Sequence, residues 1–159
     1  MKSKIILYVL FSSVLNFSFA QNTSTKPMEK LNFMIGHWVG TSNTYENHEI
    51  IKSIPAYEEV QFLLDGEILT LDLHSESLTL HTVIYYDDEN EYYSYNPYSK
   101  SGARSCKGEF INGKLLVWLS DERRVWFESL KPGQFQETGE KLIDGNWQLY
   151  FQDVFTDAP

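Results

Sequence analysis

Apolar and polar residues alternate along most of this 159-residue chain, and this period of two constrains the fold more than any other feature. The segment 69–74 places Leu69, Leu71 and Leu73 on one face, and the segment 78–86 repeats the pattern. Segments 114–120, 123–130 and 146–155 follow the same rule. Since successive side chains of a β-strand point to opposite faces, each segment is predicted to be a strand with one buried face.

Glycine-containing turns separate the predicted strands. Asp65-Gly66, Asn112-Gly113 and Asp144-Gly145 each lie between two strand-like segments. Such dipeptides favour two-residue hairpins, because both central residues must take a positive φ. The sequence therefore predicts an all-β fold of about nine or ten antiparallel strands in up-and-down order. Closure into a barrel would remove the exposed edges of such a sheet.

A short apolar segment precedes the first predicted strand. Helical spacing occurs only around residues 28–35, so a short N-terminal helix is expected to plug one end of the barrel. The apolar residues of this plug are Met28, Leu31, Phe33, Met34 and Ile35.

Three residues of the segment FMIGHWVG, 33–40, are predicted to be structural. Gly36 would take the special backbone angles of the chain's entry into the barrel, and Trp38 would point into the barrel floor. Gly40 would remove a side chain where the strand bends or where a neighbouring strand approaches closely. Because it alternates with Trp38, His37 is then expected to face outward near the barrel mouth or to cap a helix end.

The segment from Leu31 to Gly40 resembles the Gly-x-Trp opening of the calycins, which are the lipocalins and their relatives. It resembles more closely a bacterial domain family of unknown function, the DUF1579 type, which is related to the nitrobindin haem-binding barrels. The resemblance continues through Tyr57-Glu58-Glu59, Asp65 to Leu69, Gly139-Glu140-Lys141 and Asp144 to Trp147. It extends over essentially the whole chain after the N-terminal segment, and it implies a calycin-like barrel.

Two functional features of these relatives have no counterpart in this sequence. Nitrobindin-like barrels hold haem through a histidine late in the chain, whereas no histidine follows His81 here. Lipocalins usually place an arginine near the last strand over the motif tryptophan, but residues 148–159 contain neither arginine nor lysine. No histidine pair has the spacing of a zinc site. We therefore expect no haem, no metal and no other cofactor, and the partner of Trp38 stays open.

Aromatic residues on the predicted strands suit either a filled lumen or a ligand cavity, since a barrel of this size accommodates both. Arg104, Arg123 and Arg124 are the cations best placed to meet an acidic ligand. For Arg124 and Trp126 an outward cation–aromatic stack is the alternative, and His81 could equally lie on the outer face. The candidate ligand-binding residues of the lumen or its mouth are His81, Tyr85, Tyr95, Arg104, Trp118 and Trp126.

The sequence contains no conventional catalytic constellation, and no catalytic residue is predicted. Glu58 and Glu59 lie on opposite faces of a strand, so they cannot act together as acid and base. Cys106, the only cysteine, is interpreted as a small buried residue. A binding protein for a small apolar or amphipathic molecule is therefore favoured. The alternatives are an enzyme that uses His81 in the lumen and an interaction module that presents the tyrosines of residues 92–98.

The N-terminal residues 1–20 have the order of a secretory signal peptide: Lys2 and Lys4, an apolar run, and Ser18-Phe19-Ala20. Cleavage after Ala20 would leave a flexible leader, 21–27, and a barrel domain, 28–159, in a secreted or periplasmic protein without membrane insertion. The formal net charge of −9 disfavours nucleic acid as a partner. A small molecule is the expected partner, and the sequence predicts no oligomeric state.

Overall fold

The structure is a computed structural model that describes residues 25–158. Its elements in chain order are the 3-10 helix η1 (Met28–Met34), strands β1 (Gly36–Glu46) and β2 (Glu49–Leu63), the 3-10 helix η2 (Leu64–Gly66), and strands β3 (Ile68–Ser75), β4 (Thr79–Asp87), β5 (Tyr92–Ser99), β6 (Gly102–Ala103), β7 (Cys106–Ile111), β8 (Lys114–Ser120), β9 (Arg123–Lys131), β10 (Gln134–Ile143) and β11 (Asn146–Asp157). The predicted signal peptide lies outside the described residues.

Ten of these strands close into one antiparallel barrel, as the sequence predicts. Each strand from β1 to β5 pairs with the next, β5 pairs with β7, and β7 to β11 again pair in chain order. The pairing of β1 with β11 closes the barrel. Strand β6 only extends the end of β5, through the pairs Tyr98–Ala103 and Ser99–Gly102.

Helix η1 plugs one end of the lumen, which we call the plug end. Met28, Leu31 and Met34 are its buried residues, and they are three apart because side chains at i and i+3 lie above one another in a 3-10 helix. Phe33 is partly buried against the core. Ile35 is 40% exposed, so its predicted place in the plug is wrong. It follows the last helical residue and has an extended backbone, which takes its side chain off the buried face.

The predicted structural motif is present at the start of β1. Trp38 is only 4% exposed, and its indole N–H donates a 2.7 Å hydrogen bond to the carbonyl oxygen of Met34. The plug thus supplies the tryptophan's partner that the sequence left open. Gly36 has a φ of 152°. A Cβ atom at Gly40 would collide with the carbonyl oxygen of Val154 on β11, so only glycine fits this crossing.

Two of the three predicted hairpins have the expected form. Asn112-Gly113 and Asp144-Gly145 are two-residue turns with positive φ at both positions. The turn at Asp65-Gly66 differs, because Leu63 pairs with Ile68 and four residues therefore form the loop. Leu64 shares the positive φ there, so the turn extends into the short helix η2.

Aromatic rings fill the lumen next to the plug. The ring of Phe135 lies between those of Trp38, Phe127 and Phe155, with centroids 5.5, 6.4 and 5.6 Å away respectively. The three phenylalanines are fully buried, and such ring clusters stabilise a core beyond the area they bury. Strands β1, β3, β5, β8 and β10 run from this packed half towards the opposite end of the barrel, which we call the mouth.

Candidate functional site

The half of the lumen nearer the mouth contains a cavity of about 420 Å³. Its apolar wall includes Leu73, Leu80, Leu119, Val125 and Phe151. Pockets of this volume accommodate small organic molecules, and they combine apolar walls with a few polar groups that orient the ligand. The lumen is therefore packed near the plug and hollow near the mouth. The filled core predicted as one alternative occupies the first half, and the cavity predicted as the other occupies the second.

Three acidic side chains from three strands point into the lumen: Glu58 on β2, Glu137 on β10 and Asp153 on β11. They are 0%, 6% and 3% exposed, respectively. Glu137 and Asp153 line the cavity and are direct cross-strand partners. Asp153 is in turn paired with Ser42 on β1. Glu137, Asp153 and Ser42 thus form a polar row across three neighbouring strands. We call the three acidic side chains, Glu58, Glu137 and Asp153, the carboxyl cluster.

The carboxyl cluster lacks donors for several of its oxygen atoms. Both carboxyl oxygens of Glu58, Oε1 of Glu137 and Oδ1 of Asp153 are buried without a hydrogen-bond partner among residues 25–158, as is Oγ1 of Thr82. No lysine, arginine or histidine in this part of the chain forms an ion pair with the cluster. Each unsatisfied buried polar group costs about 1–3 kcal/mol, so the carboxyl cluster lowers the stability of the protein without a ligand.

Burial also changes the protonation of the carboxyl cluster. The pKa of Glu58 is raised from 4.5 to about 8, mainly by burial and further by the charge of Asp153, while the neighbouring carboxyl group of Glu137, when protonated, opposes the change. The pKa of Glu137 is raised well above 4.5, first by burial and then by the charges of Glu58 and Asp153. Burial raises the pKa of Asp153 to about 6, while a hydrogen bond from the Ser42 hydroxyl opposes the change. A proton on Glu137 would supply the donor that Glu58 otherwise lacks.

The mouth carries the opposite charge. Arg104, just before β7, and Arg123, at the start of β9, are both exposed and both line the cavity. The guanidinium group of Arg123 lies 6.0 Å from the centroid of the Tyr150 ring, which also borders the cavity. A molecule in the cavity would therefore lie between an acidic floor, formed by Glu137 and Asp153, and a basic opening, formed by Arg104 and Arg123.

No family model matches the chain, and no curated protein is significantly similar to it in sequence. Zebrafish ileal bile acid-binding protein in complex with cholic acid is similar in structure, with a TM-score of 0.54 at 10% identity over 79% of this chain and 99% of that chain. This barrel is calycin-like. A protein of unknown function from the DUF3598 family of Nostoc punctiforme aligns with a TM-score of 0.30 at 7% identity, over 83% of this chain and 98% of that one.

Two of the six predicted ligand-binding residues lie on the wall of this calycin-like cavity. Tyr95 is buried on β5, and Arg104 lies at the mouth. Their part in binding a ligand stays a prediction.

The other four predicted residues point away from the lumen, so their predicted place in the lumen or at the mouth is wrong. On β4 the buried residues are Thr82 and Ile84, and the alternation turns His81 and Tyr85 outward. On β8 and β9 the buried residues Val117 and Val125 likewise turn Trp118 and Trp126 outward.

The outward residues form contacts of their own. Nδ1 of His81 lies 2.6 Å from Oδ1 of Asp72. Arg124 lies among three tryptophans, with its guanidinium carbon 5.7, 5.3 and 4.1 Å from the ring centroids of Trp118, Trp126 and Trp147. Its Nε–H donates a 2.7 Å hydrogen bond to Glu140. The outward cation–aromatic stack, the alternative interpretation of Arg124 and Trp126, is confirmed.

Sequence reasoning missed the carboxyl cluster, although a signal for it exists. Glu137 is in phase with the buried Phe135, and Asp153 is in phase with the buried Phe155, each two residues away along a strand. An acidic residue within a buried apolar phase indicates an inward carboxyl group. Glu58 and Glu59 do lie on opposite faces, as expected, but Glu58 meets Glu137 of another strand instead.

Residues 25–158 contain no group of three or more His, Cys, Asp or Glu side chains arranged to hold a metal ion. Within the same residues, no helix is both long enough and apolar enough to cross a membrane.

Proposed function

We propose that this protein binds a small amphipathic molecule inside its barrel. The observation that carries the proposal is the cavity of about 420 Å³, which has an apolar wall, an acidic floor and a basic mouth. An apolar wall provides the main driving force for binding, while a few polar groups orient the ligand. The similar zebrafish barrel, a bile acid-binding protein in complex with cholic acid, supports the same use of the lumen here.

The two alternative functions have less support. An interaction module with a filled core would not need the cavity. The lumen-based enzyme requires His81 inside the lumen, whereas the imidazole of His81 lies on the outer face beside Asp72. Binding without chemistry is therefore the function that we propose.

The proposal includes export of the protein to the periplasm or the cell exterior. It is supported by the order of the N-terminal segment, a basic start, an apolar run and Ser18-Phe19-Ala20. A relationship to the DUF1579-type barrels belongs to the same proposal, and it is supported by the segment from Leu31 to Gly40 and the calycin-like fold.

Fluorescence titration with N-phenyl-1-naphthylamine, a neutral aromatic probe, tests binding in the lumen. We expect the native protein to bind one probe molecule with enhanced emission. Leu119→Trp adds a ring at the cavity wall, and loss of apolar contact and volume should weaken binding by about tenfold or more.

The matched control is Val39→Trp, which adds the same ring at a residue that is 41% exposed. This variant should bind the probe as the native protein does. Absence of binding by the native protein, or equal weakening by both variants, would contradict a site in the lumen.

A further inference from the structure

We infer that the floor of the cavity is a subsite for a protonated amine, with Glu137 and Asp153 receiving the ammonium group of the ligand. The inference rests on the proposed function, because it names the head group of the molecule that the cavity accepts. It also assigns a task to side chains that the fold alone does not explain.

The geometry places two carboxyl groups side by side at the cavity floor. Glu137 and Asp153 are opposite one another on β10 and β11, and both line the cavity. Each is more than nine-tenths buried, with one oxygen that has no donor among the described residues. Asp153, with a pKa of about 6, is ionised near neutral pH, and a cation beside it would also favour ionisation of Glu137 and supply the hydrogen bonds that both carboxyl groups lack.

An ammonium group matches these acceptors in number and in charge. It carries three N–H donors and no acceptor, whereas an ionised carboxylate only accepts. Glu137 and Asp153 both line the cavity, so their carboxyl groups supply the acceptors, and the carboxyl group of Glu58 lies behind Glu137. Hydrogen bonds between ionised partners are about twice as strong as neutral ones. A neutral hydroxyl head group would donate only one hydrogen bond and bring no charge.

The distribution of charge along the cavity sets the orientation of the ligand. Residues 25–158 place no cation in an ion pair with the carboxyl cluster, and Arg104 and Arg123 stay at the exposed mouth. A carboxylate ligand pushed to the floor would meet like charges, which costs binding energy. The amine should therefore point inward, with the apolar body along Leu73, Leu80 and Leu119.

Isothermal titration calorimetry with three naphthalene compounds tests the head group, because the apolar body is the same in each. The compounds are 1-naphthylmethylamine, 1-naphthalenemethanol and 1-naphthoate, measured near neutral pH. We expect the amine to bind about tenfold or more tightly than the alcohol, and the naphthoate to bind most weakly.

Two variants locate the effect at the floor. Glu137→Gln and Asp153→Asn keep the shape of each side chain but replace its carboxyl group with an amide that cannot ionise, so each should reduce the preference for the amine over the alcohol. Glu59→Gln is the matched control, because Glu59 lies outside on the same strand as Glu58. It makes the same replacement and should keep the preference for the amine. Near-ultraviolet circular dichroism checks that each variant is folded, and either floor variant alone can decide.

The outcomes separate this inference from the proposed function. If none of the three compounds binds, lumen binding fails and the inference fails with it. If the alcohol binds and the amine binds no more tightly, the function stands and the ammonium subsite is overturned. Tightest binding of naphthoate would place the head group at Arg104 and Arg123 and would also overturn it. A floor variant that keeps the amine preference would show that the carboxyl cluster serves only the fold.

Discussion

Trp38 and His37 are neighbours in sequence, yet they lie in opposite environments. The Trp38 ring packs against Phe135 beneath the plug, and its indole N–H is bonded to Met34. His37 is on the outer face, where Nδ1 lies 3.2 Å from the Tyr57 hydroxyl oxygen. The alternation of one strand thus assigns core packing to one residue and surface contact to the other.

We expect Trp38→Ala to lower the free energy of unfolding by about 3–5 kcal/mol, because it leaves a void beneath several packed rings. His37→Ala should cost less than about 1 kcal/mol, as surface changes usually do. Equilibrium urea unfolding measures both, since a shift in midpoint at constant slope reports stability. A larger loss for His37→Ala would mean that the faces of β1 are reversed.

The carboxyl cluster should make the barrel less stable at higher pH. Its groups bind protons more tightly in the folded chain, with the pKa of Glu58 raised from 4.5 to about 8 and that of Asp153 from 3.8 to about 6. Their stabilising contribution is therefore complete below the unfolded pKa values and is lost as pH rises through the folded ones. The carboxyl cluster also faces Tyr95, whose pKa is raised by burial, and the Ser42 hydroxyl.

The urea midpoint of the native protein should fall as the pH rises from about 5 to 8. It should fall less in Glu137→Gln, because the glutamine side chain cannot ionise. Glu59→Gln, the outer-face control, should retain the native pH dependence. A native midpoint that rises between about pH 5 and 8 would contradict the assignment of raised pKa values.

At the scale of the elements, the seam between β1 and β11 depends on a single glycine. Gly40 is paired with Phe155, and any Cβ atom there would meet the backbone of Val154. A backbone atom cannot move aside as the end of a flexible side chain can. The two strands would have to separate at the place where the barrel closes.

Gly40→Ala should therefore destabilise the barrel by about 1–3 kcal/mol or more, which is the usual cost of overpacking. Val39→Ala, one residue away on the outer face, should change stability by less than about 0.5 kcal/mol. Thermal unfolding followed by circular dichroism compares the two. Equal melting temperatures would mean that the strands are not in close contact at this crossing.

The sequence predicts the strands well because alternation and turn residues are local properties. Strand β8 occupies the predicted residues 114–120, and Asn112-Gly113 forms its turn as expected. Alternation does not reveal which face is inside when both faces carry large apolar residues. On β8, one face carries Leu115 and Val117 and the other carries Leu116 and Trp118, so both faces are apolar. For this reason the sequence predicts the wrong face for Trp118.

At the scale of the whole molecule, the closed barrel and its plug could be predicted, but the division of the lumen could not. The free volume inside a barrel depends on strand tilt and register, which composition does not determine. The meeting of Glu58 with Glu137 likewise joins β2 to β10, two strands distant in sequence. Contacts of this kind arise only once the barrel has formed.

Export is also a property of the whole chain. The N-terminal segment predicts cleavage after Ala20, so the exported protein should begin at Gln21. Intact-mass measurement of protein from the periplasm or culture medium tests this. A mass that retains residues 1–20 would contradict the predicted processing.

The pairing of β1 with β11 also determines when the barrel can close. Neighbouring strands meet through short connections that can form early, whereas this seam joins residues from the two ends of the domain. Contacts so remote in sequence slow folding, because loop closure must precede them. Until β11 has docked, β1 and β10 each present an unpaired edge through which chains can aggregate. Docking of the final strand is therefore the step at which an incompletely folded chain has most need of a chaperone.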